Sequence, residues 1–156
     1  VPFFLYQSPA RCQGRGEKVT PVSSPQSLPV VLVKPTAGLS TPSVFGRVAE
    51  FGFEDRQSID DMLQVFTSGD LSGVGRALHN RLLEPALAVL PELQGVVHLL
   101  QDFDVAGFQM TGSGSTFFMI CRHANQAKNL AARLRQMKLG AVIDTYTIGQ
   151  PFGCAA

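Results

Sequence analysis

The sequence predicts an α+β domain in which an antiparallel sheet carries helices on one face, and three observations lead there. Runs that suit strands come in pairs joined by tight glycine turns, at residues 3–12 with 18–22 and at 105–110 with 116–121. The chain between the pairs carries helix signals from about residue 41 to 102. A strand, strand, helix, strand series then closes the chain.

In order, the first hairpin turns at Gly14-Arg15-Gly16-Glu17, and Pro21 with the Ser23-Ser24-Pro25 run ends it. Val30-Val31-Leu32-Val33 is a continuous apolar run, largely β-branched, within a strand at 28–33, which predicts burial on both faces and a place inside the sheet. Residues 35–42 are rich in turn formers. Thr41 suits an N-cap and Pro42 the first helical position, for a short helix reaching about Glu50. Ser58 with Asp61 three residues on resembles a capping box, and Asp70 caps a helix running through Leu71, Val74, Leu78 and Leu82. Pro85 and Pro91 each restart or kink the chain, so residues 84–102 divide into two helical pieces. After the second hairpin, His123 falls at a helix N-cap position. Ala127, Leu130, Ala131, Leu134 and Met137 form an amphipathic stripe that Gly140 ends, and 141–148 is the last strand.

The 156 residues hold 13 Lys plus Arg against 12 Asp plus Glu and are 45% hydrophobic, the composition of one ordinary folded domain. A chain of this length hides roughly 68–70% of its unfolded surface, so it builds a core without disulfides or a structural metal. The net charge of +1 and the absence of a basic stripe argue against nucleic acid as a partner. No apolar run approaches the roughly 18 residues of a membrane span and no secretory pattern opens the chain, so the expectation is a cytoplasmic protein without a membrane partner. Cys12, Cys121 and Cys154 are odd in number and widely spaced, which supports neither a disulfide framework nor a metal knuckle.

Few residues suggest chemistry by themselves. In Thr111-Gly112-Ser113-Gly114-Ser115, two glycines let backbone N–H groups converge among three hydroxyls, which suits a phosphate, and a plain hairpin turn explains the segment equally well. Arg15 could meet a phosphate, but an exposed turn arginine is more often solvated. His79, His98 and His123 lack metal-ligand spacing, and His98 reads as a core or boundary imidazole on a helix. The acid pairs Asp60-Asp61 and Asp102/Asp104 fall near helix ends, where capping and dipole roles precede general-base roles. No Walker loop, Ser-His-Asp order or strand-linked G-x-G-x-x-G is present, and no metal site is expected.

The order VPFFL, GRGEKVTPV, VVLVKP with STPSVF, HNRLLEPA and GFQMTGSGSTFFMI, spread over residues 1–148, resembles the C-terminal half of the 4-diphosphocytidyl-2-C-methyl-D-erythritol kinases, a family of the GHMP kinase superfamily. The resemblance implies a ferredoxin-like C-terminal domain spanning 1–156, substrate-side, with the N-terminal ATP-binding domain as its absent partner. It implies transfer of the ATP γ-phosphoryl to a hydroxyl of the cytidylyl substrate, with ATP and Mg²⁺ as cofactors, in the non-mevalonate route to isoprenoid precursors. By position, Phe45 would stack on the cytosine, with Thr41 and Pro42 in the adjoining wall. Thr111, Gly112, Ser113, Gly114 and Ser115 would be the phosphate-facing glycine loop. The catalytic Asp would fall just before Val1, so no catalytic residue is expected in this chain, which alone would be inactive. The cell compartment would be bacterial cytoplasm, or a plastid in a plant; the oligomeric state is not indicated. The alternatives are another superfamily kinase, of the mevalonate or homoserine type, and a non-catalytic α+β ligand-binding module.

Overall fold

The computed structural model describes residues 8–23, 27–52 and 58–148. The VPFFL segment and residues 3–7 of the expected first strand lie outside them, as does Cys154. The first hairpin pairs β1 (Ala10–Gln13) with β2 (Lys18–Pro21), Cys12 facing Val19. The main sheet is built from β3 (Pro29–Pro35), β4 (Gly107–Met110), β5 (Phe117–Ile120) and β6 (Gly140–Tyr146) in the order β4-β5-β3-β6, with every neighbour antiparallel. The helices are α1 (Thr41–Gly46), a 3₁₀ turn (Val48–Phe51), α2 (Ile59–Ser68), α3 (Leu71–Ala77), α4 (Leu83–Val89), α5 (Leu93–Gln101) and α6 (Ala124–Gln136). The α+β architecture with an antiparallel sheet is the one the sequence predicts.

β3 sits inside the sheet, where its apolar run predicts it. Successive side chains of a strand point to opposite faces, so Val31 and Val33, with Met119 and Phe117 opposite them, share one face. There they pack with Met110, with Ala127, Leu130, Ala131 and Leu134 of α6, and with Leu93, Val97 and Leu100 of α5. Each Val, Leu, Met or Phe side chain among them is worth about 1.5–3 kcal/mol when fully buried, which makes this layer the main source of stability. Ile120 and Phe118 have the other parity, and with Leu28 they meet Val74 of α3 and Met62, Val65 and Phe66 of α2. The sheet thus carries its large layer on one face, as expected, and a smaller second layer on part of the other. Two glycines allow that layer to close: a Cβ on Gly75 of α3 would overlap the Ala106 carbonyl, and one on Gly107 would strike Gly75. The Arg11–Asp60 ion pair ties the first hairpin to α2.

Helix ends follow the sequence signals in part. Ser58 accepts from the N–H groups of Asp60 and Asp61, and Asp70 from that of Gly73. His123 Nδ1 accepts from the Gln126 N–H, which makes it the N-cap of α6. The helix opened by Asp70 stops at Ala77 instead of running through Leu78 and Leu82, because Leu78 is extended and a turn at Asn80 precedes the next helix, which begins at Leu83. Pro85 lies in the first turn of α4, where its missing N–H costs nothing, so it does not break that helix. α6 ends at Gln136 through the positive φ of Lys138; Gly140 instead opens β6, where a Cβ would overlap the Lys34 carbonyl. His98 is exposed and hydrogen-bonds Gln94 one turn earlier, so it is not a core imidazole. Asp102 stands at the C-terminal end of α5 and Asp104 pairs with Arg122 at 2.9 Å, so neither complements a helix N-terminus.

Candidate functional site

Where β4 passes into β5, Met110 faces Phe117 and the six residues between them form the glycine loop. Thr111 N–H donates to the Thr116 carbonyl at 2.8 Å and Gly114 N–H to the Thr111 carbonyl at 3.1 Å, closing a turn within a turn. Gly112 (φ 57°) and Gly114 (φ 88°) both take conformations that L side chains rarely adopt. The loop therefore depends on both glycines. Among the described residues, the N–H groups of Gly112, Ser113 and Ser115 have no acceptor. Unpaired N–H groups in a positive-φ turn are the components of an anion-binding concavity.

Three other segments hold the loop. Ser115, buried, donates its hydroxyl to the Ala37 carbonyl at 2.7 Å. The Thr41 and Ser113 hydroxyls lie 2.8 Å apart. A Cβ on Gly114 would stand 2.7 Å from Met110 Sδ and 2.8 Å from Leu39 Cδ1, so the backbone is packed directly against those side chains. The chain segment 37–41 thus lies along the loop.

The Thr41 bond corrects the expected start of α1. Ser40 is the N-cap, without a side-chain cap bond, Thr41 is the first helical residue, and Pro42 follows it. A hydroxyl engaged with Ser113 is not capping its own helix. Within α1, Val44 is fully buried and anchors the helix to the core, while Phe45 is 57% exposed. The helix thus packs through Val44, and the Phe45 ring offers an open aromatic face. Of the residues singled out from the sequence, Thr41 and the 111–115 loop are in direct contact, with Pro42 and Phe45 on the same short helix. Arg15 is not part of this arrangement; it sits on the exposed turn of the first hairpin, its own N–H bonded to the Glu17 carboxylate.

Asn80 was not singled out. Its carboxamide donates to the Met110 carbonyl at 2.7 Å and the Gly112 carbonyl at 2.9 Å, and its oxygen accepts from the Leu82 N–H at 2.9 Å. In the sequence Asn80 is only one residue of HNRLLEPA; the bonds to a loop thirty residues away arise from the fold. Among the described residues no three His, Cys, Asp or Glu side chains cluster to hold a metal ion, and what the loop offers is its unpaired N–H donors.

Comparison with known proteins gives this arrangement a family. The family "GHMP kinases C terminal" matches residues 62–138. The 4-diphosphocytidyl-2-C-methyl-D-erythritol kinase of Exiguobacterium sibiricum is 33% identical over 135 residues, 86% of this chain and 47% of its own length. A crystal structure of 4-(cytidine 5'-diphospho)-2C-methyl-D-erythritol kinase superposes with a TM-score of 0.77 at 29% identity, covering 94% of this chain and 52% of that one. The L. major mevalonate kinase structure shares the fold, with a TM-score of 0.66 at 19% identity over 91% of this chain and 48% of that one. The chain spans about half the length of the curated relatives it matches. Motif order, fold and these likenesses agree that the chain belongs to the GHMP kinase family, as its C-terminal domain.

Proposed function

We propose that this chain is the substrate-side half of an ATP-dependent kinase that phosphorylates a hydroxyl of 4-diphosphocytidyl-2-C-methyl-D-erythritol, in the non-mevalonate route to isoprenoid precursors. One observation carries the reading: the Thr41–Ser113 hydroxyl contact joins the helix that displays Phe45 to the glycine loop, so an exposed aromatic ring and a set of free N–H groups are carried by two elements in direct contact. That pairing suits a ligand with a planar base at one end and phosphates at the other. The names of the 33% identical relative and of the 29% identical structure support the same substrate.

Phosphoryl transfer asks the protein mainly to position the reactants and to stabilise charge on the phosphoryl oxygens. ATP supplies the transferred γ-phosphoryl, and Mg²⁺ neutralises its charge. In this chain, the 111–115 loop orients phosphate oxygens through backbone N–H groups, Thr41 and Pro42 bound the substrate cleft, and Phe45 holds the base. Nucleotide binding and the catalytic Asp belong to the N-terminal half, where the family resemblance puts them. The compartment that fits such an enzyme is the bacterial cytoplasm; no described helix is long and apolar enough to cross a membrane.

Phe45→Ala in the full-length enzyme tests the substrate. Stacking on a remote, non-reacting base is uniform binding, so KM for the cytidylyl substrate is expected to rise roughly ten-fold, equivalent to about 1.4 kcal/mol, with little change in KM for ATP. A folded variant with parental kinetics would make Phe45 a mere surface residue and shift the reading towards a kinase of the mevalonate or homoserine type.

A further inference from the structure

We propose that Asn80 is a positioning residue that aims the glycine loop, and above all the Ser113 N–H, at the phosphate. The geometry itself stands apart from the identity of the substrate; its consequence for turnover rests on the kinase reading above.

The contacts dictate the side chain. At this point the fold presents two carbonyls, of Met110 and Gly112, on one side and one N–H, of Leu82, on the other. A primary amide alone supplies two N–H donors from one atom and an acceptor from the other in a fixed plane. Turning the amide over would set its oxygen against both carbonyls, so the contacts also fix its orientation. Asp would keep the acceptor and lose both donors. Ser has a single donor on a shorter arm.

Peptide geometry carries the effect onward. In a planar trans peptide the C=O and the following N–H point in opposite directions. Asn80 draws the Gly112 carbonyl inward, so the Ser113 N–H on the same peptide is turned away from it, and that N–H has no acceptor among the described residues. The Met110 carbonyl behaves alike: while it faces Asn80, the next N–H, of Thr111, points across the turn to Thr116. One carboxamide therefore orients two alternate loop peptides, Met110–Thr111 and Gly112–Ser113, and, through Leu82, joins them to the start of α4. The Thr41–Ser113 contact holds the Ser113 side chain, and Asn80 sets the backbone beneath it.

The test is Asn80→Asp in the full-length enzyme, because it retains the acceptor for the Leu82 N–H and removes the two donors. A carboxylate facing two carbonyls repels them, and its own pKa rises above the ordinary value of about 3.9. At neutral pH kcat is expected to fall roughly 10- to 100-fold, the scale of a small misplacement of a binding group, with a melting temperature within a few degrees of the parent. As pH falls and the Asp protonates, one O–H donor returns, so the ratio of variant to parent kcat should rise. Asn80→Ser should stay low at every pH. A parental kcat for Asn80→Asp overturns the proposal, and so does a deficit that is the same at every pH, since that is what a purely structural role gives. If the parent enzyme phosphorylates no alcohol, the kinase reading fails, and the amide spectrum of the 156-residue chain decides the positioning role. Selective shifts of the Gly112 and Ser113 resonances in Asn80→Asp support it, and their constancy overturns it.

Discussion

Two glycine turns join strands in this molecule, and they share almost nothing beyond their glycines. The turn at Gly14–Glu17 closes on itself: Gly16 N–H donates to the Gln13 carbonyl at 3.1 Å, and Arg15 N–H to the Glu17 carboxylate at 2.6 Å, all of it exposed. The loop at 111–115 is held by groups far away in sequence, from Ala37, Leu39, Thr41 and Asn80. The first turn is hydrogen-bonded only within itself. The second has its outer polar groups tied by distant partners and keeps several N–H groups free. A turn whose shape is set from outside is rigid where a ligand would need it, and long-range hydrogen bonding separates it from simple punctuation.

The largest test of that contrast is a pair of valines. Gly114→Val in the full-length enzyme forces a Cβ onto Met110 and Leu39 at a φ of 88°. Strain of about 1–3 kcal/mol at a site that must hold sub-ångström geometry is expected to cut turnover by roughly 100-fold. Gly16→Val meets no atom within 4 Å and carries only the cost of its φ of 102°. It should lower stability by about 1–2 kcal/mol and leave turnover unchanged. Kinetics and denaturant unfolding of both variants read the difference; similar losses of turnover in the two would abolish the distinction drawn here.

A double-mutant cycle sharpens it at a smaller scale. Thr41→Val and Ser113→Ala each remove one member of the hydroxyl pair, and their coupling in urea unfolding should be about 0.5–1.5 kcal/mol. Strict additivity would show that the contact between α1 and the loop contributes nothing. For the first turn, Glu17→Ala should change stability by less than about 0.5 kcal/mol, as an exposed local bond does.

The smallest effect calibrates the others, because it lies away from both turns. Arg135 donates to the Asp144 carboxylate at 2.7 Å, and this hydrogen bond, with the Asp144 backbone and the Arg135 charge, holds the carboxyl below its ordinary pKa. A depressed folded pKa gives stability that is present above the unfolded value and lost as pH falls through the folded one. Asp144→Asn should therefore flatten the acid limb of the stability curve, without altering turnover at neutral pH. An unchanged acid limb would mean the exposed pair is fully screened.

The fold was legible where one element carries its own signal. The Val30–Val33 run placed β3 inside the sheet, His123 and Asp70 capped the helices they precede, and the Ala127–Leu134 stripe marked the buried face of α6. Errors fell where a distant group competed with a local rule. Thr41 looks like a cap because its position before Pro42 is all the sequence shows, but Ser113 takes its hydroxyl. Leu78 and Leu82 continue a helical period, but Leu78 is extended and the next helix begins only at Leu83. Gly140 looks like a helix terminator, whereas its absent Cβ is needed beside Lys34.

What the sequence by itself determined is the set of strands and helices, the α+β class, and the motif order that resembles the GHMP kinases; each depends on residues close together in the chain, or on their simple succession. What only the tertiary structure decided is which polar groups meet. The Asn80 amide reaches the loop across 30 and 32 residues, and the Thr41 hydroxyl across 72. A hydrogen bond holds over about 3 Å and a narrow range of angle, and pairs so far apart in the chain reach that geometry only after the sheet and its helices have packed.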